Sequence, residues 1–279
     1  MLIVGGNDGM IGAPVLAGTA ALRAGAGLVQ IAVPRSILHA CLSITPELIG
    51  LGLGKASGKD ELLKAGELAD AIVIGPGLGR TPEAEGRLVR LVRLDKPLVV
   101  DADALNLLAG MKKWPSFFKA RAVLTPHPGE MKRLAKLLGR DEVPTDEEGR
   151  IEIAAGAADA FGQVVLLKGN QTIVTDGRRV YVNHSGNSAL SKAGTGDVLS
   201  GLLGTLLAQG MDRFDAACLA AHLHGRAGEV AGATIGLRSA LARDVVDALS
   251  AAIGEHESKG DRQDSENAKA GGESENGRR

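Results

Sequence analysis

The sequence predicts an α/β fold in three layers, with a largely parallel central sheet and helices on both of its faces. Three observations carry this prediction. Short β-branched runs alternate along the chain with longer segments of helical spacing, the signature of strands connected by crossover helices. Late in the chain, short apolar runs flank Asp176-Gly177, a turn signal for a hairpin that finishes the sheet. After Asp197, the residues Val198, Leu199, Leu202, Leu203, Leu206 and Leu207 recur at helical spacing, an apolar stripe suited to lie on a sheet.

Met1 leads directly into a first strand, Leu2-Ile3-Val4. Pro14 suits the first turn of a helix that carries Val15-Leu16-Ala17 and Ala20-Ala21-Leu22 and breaks at Gly25. Further strands are expected at Leu28 to Val33, Ala71 to Ile74, Leu98 to Val100, Val123-Leu124 and Val164 to Leu167, with the hairpin between Thr172 and Val182. The stripe after Asp197 supplies the helix that follows. From Gly254 onward the chain is polar and charged, with too little apolar surface to offset the entropy of ordering. One domain over residues 1–253 and a disordered polar tail over 254–279 are therefore expected.

Composition narrows the function. With 279 residues and 44% hydrophobic content, the chain can bury one large core. A net charge of −1 supplies no field to draw nucleic acid or an anionic membrane, and 2% aromatic content leaves few rings for stacking bases. A small-molecule partner is expected instead. Cys41 and Cys218 lie far apart, without a metal-ligand pattern, and suit packing thiols in a reducing compartment. No run reaches membrane-spanning length and no basic leader precedes the first strand, so a cytoplasmic location is expected.

The strongest local signal is Gly194-Thr195-Gly196-Asp197, placed directly before the apolar helix. Glycine allows close approach of an anion, and a helix N-terminus offers unpaired N–H groups and positive dipole, so Gly194, Thr195 and Gly196 form a candidate anion hole. Asp197 either caps the helix or accepts a proton from a substrate hydroxyl as that oxygen attacks phosphorus. For an isolated Gly-x-Gly-Asp, capping is the better reading.

Five further segments change that balance. They are Gly5-Gly6 through Pro14; Ile74-Gly75-Pro76-Gly77-Leu78-Gly79; Asp101-Ala102-Asp103-Ala104-Leu105-Asn106; Leu124-Thr125-Pro126-His127-Pro128-Gly129-Glu130; and Leu167-Lys168-Gly169-Asn170-Gln171-Thr172. In this order, and with the stretch from Asn187 to Asp197, they resemble the NAD(P)H-hydrate dehydratases of the ribokinase-like superfamily over most of the chain up to about residue 250. The resemblance implies a ribokinase-like fold and dehydration of the S epimer of NADH hydrate and NADPH hydrate. ADP or ATP would be the phosphoryl donor, with magnesium as cofactor. It implies substrate contacts from Ala13, Gly77, Gly79, His127 and Asp197, and a nucleotide held by Lys168, Gly169, Asn170, Gln171, Thr172 and Gly196. Asp197 would be catalytic. A homo-oligomer is implied as well. Relatives carry sequence ahead of the first strand, often with a separate epimerase domain, and a serine where this chain has Asn7.

Local chemistry supplies alternatives at several positions. Gly75 to Gly79 follow a strand, where open α/β sheets bind ligands, but such a segment is equally a glycine-rich turn. His127, held between two prolines, either donates to a substrate oxygen or bonds a nearby carbonyl. Lys168 is a point charge for phosphate or a snorkelling edge lysine. Glu130 is read as structural, complementing a helix dipole, and Asp103 as a helix cap. Two other functions use much the same site: a ribokinase-like kinase of a small hydroxylated metabolite, and a nucleotide sensor without catalysis.

Overall fold

The computed structural model describes the backbone of residues 1–54, 58–111 and 113–275, and their side chains except those of 58–60 and 259–275. Nine strands form one sheet: β1 (Leu2–Val4), β2 (Gln30–Pro34), β3 (Ile49–Leu53), β4 (Ile72–Ile74), β5 (Pro97–Val100), β6 (Arg121–Leu124), β7 (Val164–Leu167), β8 (Ile173–Thr175) and β9 (Val180–Val182). The helices are α1 (Gly12–Arg23), α2 (Arg35–Ile44), α3 (Gly58–Leu68), α4 (Pro82–Leu91), α5 (Ala102–Gly110), α6 (Pro128–Ala135), α7 (Glu147–Phe161), α8 (Thr195–Ala208), α9 (Arg213–Ile235) and α10 (Ala242–Glu275).

The sheet order is β3-β2-β1-β4-β5-β6-β7-β8-β9. Strands β1 to β7 pair in parallel, and β8 and β9 add an antiparallel hairpin. Successive side chains on a strand point to opposite faces, so each strand feeds two cores. Ile3, Val73, Val99 and Leu166 pack with α1, α8, α9 and α10 on one side. Leu2, Ile72, Ile74, Leu98 and Leu167 pack with α3 to α7 on the other. This is the expected three-layer α/β/α architecture.

Element edges differ from expectation in instructive ways. Leu28 is 57% exposed and lies before β2, which begins at Gln30 and runs on to Pro34. Strand β3 has no counterpart in the sequence reading because Gly50 and Gly52 interrupt its apolar run. Position explains the glycines: a Cβ on Gly50 would stand 2.6 Å from a Leu38 methyl. The tail also differs, since α10 continues to Glu275 instead of losing structure at Gly254. Its first turns are anchored by buried Val245, Val246, Leu249 and Ala252. A helix nucleated there can extend one residue at a time beyond its docked turns, since propagation costs far less than nucleation. Residues 276–279 of that segment lie outside the described residues. Among the described residues, no helix is long and apolar enough to cross a membrane.

Helices α1 and α8 approach closely because Gly201 has no side chain. A Cβ there would stand 2.0 Å from the Ala17 carbonyl oxygen. Replacing glycine by alanine inside a helix ordinarily stabilises it by about 0.5–1 kcal/mol, and packing reverses that sign here. Gly201→Ala is expected to lower the melting temperature by several degrees, following an overpacking cost of about 1–3 kcal/mol. Gly156→Ala, on an exposed turn of α7 with open space around it, is expected to leave it unchanged or raise it. Calorimetry of the two variants checks both signs.

Candidate active site

The site forms beyond the carboxyl ends of the parallel strands, beside the point where strand order reverses between β1 and β4. Two loops interlock at that point. Gly6 donates its N–H to the Pro76 carbonyl at 2.9 Å and Gly75 donates to that of Val4 at 3.0 Å. Neither loop has room for a side chain: a Cβ on Gly5 would stand 2.1 Å from the Pro76 oxygen, and one on Gly75 1.8 Å from the Asp101 oxygen. Asn7 Nδ2 donates to the Gly77 carbonyl at 2.8 Å. A Cβ on Gly77, at φ +62°, would meet Met10 and the Ala13 methyl, so Ala13 and Gly77 are neighbours across the two loops.

Gly79 is held by Asp103, whose Oδ2 accepts its N–H at 2.9 Å while Oδ1 lies 3.2 Å from Arg80 Nε. Asp103 therefore braces the glycine-rich loop rather than capping α5, whose N-cap position is Asp101. The chain turns sharply after Asp101 through Ala102, at φ +50°. With Gln171, at φ +55°, this is one of only two non-glycine residues with positive φ among the described residues. Both lie in segments carried over from the sequence resemblance, consistent with backbone strain gathering at functional sites.

Asp101 is 1% exposed and occupies the centre. Its Oδ1 accepts a hydrogen bond from Lys168 Nζ at 2.7 Å, and its Oδ2 accepts one from Ser200 Oγ of α8, also at 2.7 Å. Glu130 Oε2 stands 3.9 Å from the same ammonium. Burial alone would lower the Lys168 pKa, but Asp101 and Glu130 outweigh it, and the ammonium is held above its ordinary value. Nζ lies 3.5 Å from where a Cβ of Gly196 would be, so the positive charge stands over the start of α8.

Helix α8 begins at Gly194, in the left-handed region at φ +92°, with no side-chain cap. Thr195 turns its hydroxyl inward, donating to the carbonyls of Leu190 at 2.7 Å and Lys192 at 2.9 Å. Its backbone N–H donates to the Lys192 carbonyl at 3.4 Å, a long bond that an anion would displace. The Asp197 carboxylate makes no hydrogen bond or ion pair among the described residues, so capping does not explain it. Burial, then the neighbouring Asp101 charge, push its pKa up to about 7, against the pull of Lys168. Burial pushes Glu130 up to about 7 as well, against Lys168, and Asp101 adds to the rise.

His127 combines its two readings. As the N-cap of α6, it accepts the Gly129 N–H on Nδ1 at 3.0 Å, while Glu130 Oε2 accepts the His127 N–H at 2.8 Å, a complete capping box. The half-exposed ring also lines a cavity of about 770 Å³. Burial and then the Lys168 charge lower the ring's pKa, favouring its neutral form.

That cavity gathers His127, Lys168, Gly169, Asn170, Gln171, Thr172, Thr195 and Gly196. Ala13, Gly77, Gly79, Gly194 and Asp197 are not on its wall. Gly75 packs on the backbone of Asp101, whose side chain accepts from Lys168 on the cavity wall. Sequence reasoning missed Ser200, although this polar residue inside an apolar stripe, three positions after Asp197, was a usable signal. It also missed the far wall, where the buried Asn183 amide donates to the carbonyls of Ser185 and Ala221. His224 lines this wall with a buried Nε2 that has no partner. Arg150 of α7 was missed too, and nothing in its local sequence marks it.

Breaking a buried pair leaves a charge uncompensated, at a cost of about 3–5 kcal/mol. Asp101→Ala is expected to destabilise the fold by that order, because Lys168 is mostly buried. The double variant Asp101→Leu/Lys168→Met should recover most of the loss, as read from urea unfolding midpoints.

A family model described as NAD(P)H-hydrate dehydratase matches residues 1–251. The bifunctional NAD(P)H-hydrate repair enzyme Nnr of Moorella thermoacetica is 42% identical over 259 residues, covering 89% of this chain and 48% of that protein. The chain thus spans about half the length of such bifunctional relatives. The ADP-dependent (S)-NAD(P)H-hydrate dehydratase of Neisseria meningitidis serogroup B is 38% identical, covering 86% of this chain and 80% of that one. The crystal structure of the ADP/ATP-dependent NAD(P)H-hydrate dehydratase of Bacillus subtilis, co-crystallised with ATP/Mg2+ and soaked with CoA, superposes with a TM-score of 0.76 at 31% identity, covering 91% and 90% of the two chains. By its glycine-rich loops, by the charge cluster at the start of α8 and by these matches, the chain belongs to the NAD(P)H-hydrate dehydratase family.

Proposed function

We propose that the protein returns the S hydrates of NADH and NADPH to NADH and NADPH, coupled to hydrolysis of ADP or ATP to AMP or ADP and phosphate. The observation that carries this reading is Asp197: a carboxylate with no partner among the described residues, pushed up to about 7, in the first turn of a helix that starts under the Lys168 ammonium. A general base works best when its pKa lies near the working pH.

In this reading the nucleotide lies in the 770 Å³ cavity, along Lys168 to Thr172, with its terminal phosphate toward Gly196. The hydrate lies against Ala13, Gly77, Gly79 and His127. Asp197 accepts the proton of the hydrate hydroxyl as that oxygen attacks the terminal phosphorus and the bond to the leaving nucleotide breaks. Backbone N–H groups at Gly194, Thr195 and Gly196, with Lys168, bear the charge on the transferring group. The ring nitrogen then donates its lone pair and expels phosphate, and loss of a proton from the adjacent carbon restores the ring double bond. The neutral His127 ring orients a substrate oxygen without adding charge.

Magnesium is compatible with these residues. The described residues contain no group of three or more His, Cys, Asp or Glu side chains placed to hold a metal. Both Asp101 oxygens are engaged by Lys168 and Ser200. The ion would be held by nucleotide phosphate oxygens and water facing Glu130 and Asp197, as magnesium usually is when it accompanies phosphates. When bound, it neutralises charge on the transferring phosphoryl group.

Two predictions follow from Asp197. Asp197→Asn is expected to keep its fold and nucleotide affinity and to lose turnover by at least about a hundredfold, the low end for a general base. Rapid-quench measurement of nucleotide cleavage with hydrate present checks this, and near-normal turnover would remove the base role. The second concerns pH. A base that must be ionised loses activity as pH falls through its pKa, so kcat/KM should fall below about pH 7. Glu130→Gln keeps an acceptor for the His127 N–H but removes a neighbouring negative charge that raises the Asp197 pKa. The acid limb of its pH profile is expected to move to lower pH. Because Asp197 and Glu130 interact, the limb reports the pair.

A further inference from the structure

Packed on the nucleotide loop, but not among the residues that line the cavity, stands a buried cation that the proposed reaction does not use. Arg150 of α7 is 8% exposed. Its NH1 donates to the Asn170 carbonyl at 2.6 Å and to the Gln171 carbonyl at 3.2 Å. Its NH2 is buried with no hydrogen-bond partner, and the one acidic group that acts on the guanidinium, Glu147 of the same helix, makes no direct ion pair with it among the described residues. This is an unusual position for an arginine, since buried charges are normally paired.

The loop is shaped around this group. Gly169 sits at φ +151°, and a Cβ there would stand 2.8 Å from Arg150 NH2, so any side chain at 169 would collide with the guanidinium. Gln171 holds a left-handed conformation at φ +55°, costly for a residue with a side chain, and its carbonyl is one of the two that Arg150 grips. Because both carbonyls accept from the guanidinium, the peptide dipoles of Asn170 and Gln171 are oriented by a charge that does not line the cavity. Arg150 is not on the cavity wall and does not touch a ligand placed there.

We propose that Arg150 is a positioning residue for the nucleotide, supplying a fixed positive charge through the backbone of residues 169–171 to the phosphate-bearing end of the ligand. The inference rests on the reading of the cavity as a nucleotide site. A guanidinium stays charged at every working pH, and in a water-poor interior its field reaches beyond one layer of backbone with little screening. The phosphates of a nucleotide diphosphate or triphosphate arrive where Asp101, Glu130 and Asp197 already surround the Lys168 ammonium, so a second positive charge nearby favours their binding. An unpaired buried arginine meets that need without narrowing the cavity.

A merely structural prop would shape the loop for any adenosine-containing ligand, whereas a charge acts only on its phosphates. The test therefore measures ADP and adenosine binding side by side, by titration calorimetry, on wild type, Arg150→Gln and Arg150→Lys. Glutamine keeps N–H donors for the carbonyls and removes the charge, while lysine keeps the charge. Expected are a loss of ADP affinity of about tenfold or more in Arg150→Gln with adenosine affinity within about twofold of wild type, and near wild-type ADP affinity in Arg150→Lys. Equal losses for ADP and adenosine in Arg150→Gln, or no loss of either, would overturn the proposal. If Arg150→Gln does not fold, a fall in the ratio of ADP to adenosine affinity in Arg150→Lys overturns it and an unchanged ratio upholds it. Failure of wild type to bind ADP would instead refute the nucleotide reading on which this rests.

Discussion

The arrangement depends on one buried ion pair. Lys168 leaves the end of β7 and Asp101 leaves the end of β5, and their 2.7 Å contact bridges the strand that lies between them, β6. Ser200 fastens the other Asp101 oxygen to α8, so a single carboxylate ties two strand ends to the helix whose first turn carries Asp197. Room for this comes from absent side chains. Gly75 lets the neighbouring loop lie on the Asp101 backbone, and Gly196 leaves space under the ammonium. Buried ion pairs are weak evidence of stability, because their desolvation offsets their attraction. The pair is better understood as what fixes the position of a charge.

That position determines the electrostatics of everything around it. Three carboxylates, from Asp101, Glu130 and Asp197, share one ammonium, and Asp101 has the closest claim on it. Glu130 and Asp197 are left under-compensated in a mostly dry site, which is why both rise to about 7. A phosphate entering this site meets the N-terminus of α8 and the Lys168 charge together, with a proton acceptor alongside. The same features make the site costly to the empty protein and suited to a reaction in which a hydroxyl gives up its proton as it attacks an anionic group. The neutral state of His127 fits this balance, since another positive ring would bring the carboxylates back toward their ordinary range.

The fold was legible in the sequence because its strands are short apolar runs separated by amphipathic helices, and their pattern does not depend on distant contacts. Strand β3 escaped notice because its glycines are there for Leu38 and Arg35 packing, a tertiary reason invisible to local pattern. The placement of Gly194 to Asp197 at a helix start and of Lys168 to Thr172 after a strand end was legible because glycines beside an apolar run mark such junctions. The double duty of His127, as helix cap and cavity wall, was only half visible. The role of Asp101 has no local signature because it depends on a lysine 67 positions away. Arg150 was invisible for the same reason: its partners are carbonyls, which carry no residue signature. For the polar tail, composition reports only a lack of apolar surface, and the continuation of α10 from a docked start has no local signature.

The central claim is that these residues return a nicotinamide hydrate to its reduced coenzyme by using a nucleotide's terminal phosphate. The most direct measurement follows the reduced-nicotinamide absorbance band after purified protein is mixed with NADH hydrate and magnesium, with ADP and ATP in parallel and a nucleotide-free control. Recovery of the band with at least one nucleotide, matched by phosphate release and absent from the control, is the predicted result. Release of a stable phosphorylated product without recovery of the band, by protein that is folded and binds nucleotide, would contradict the claim and show that the site serves a kinase.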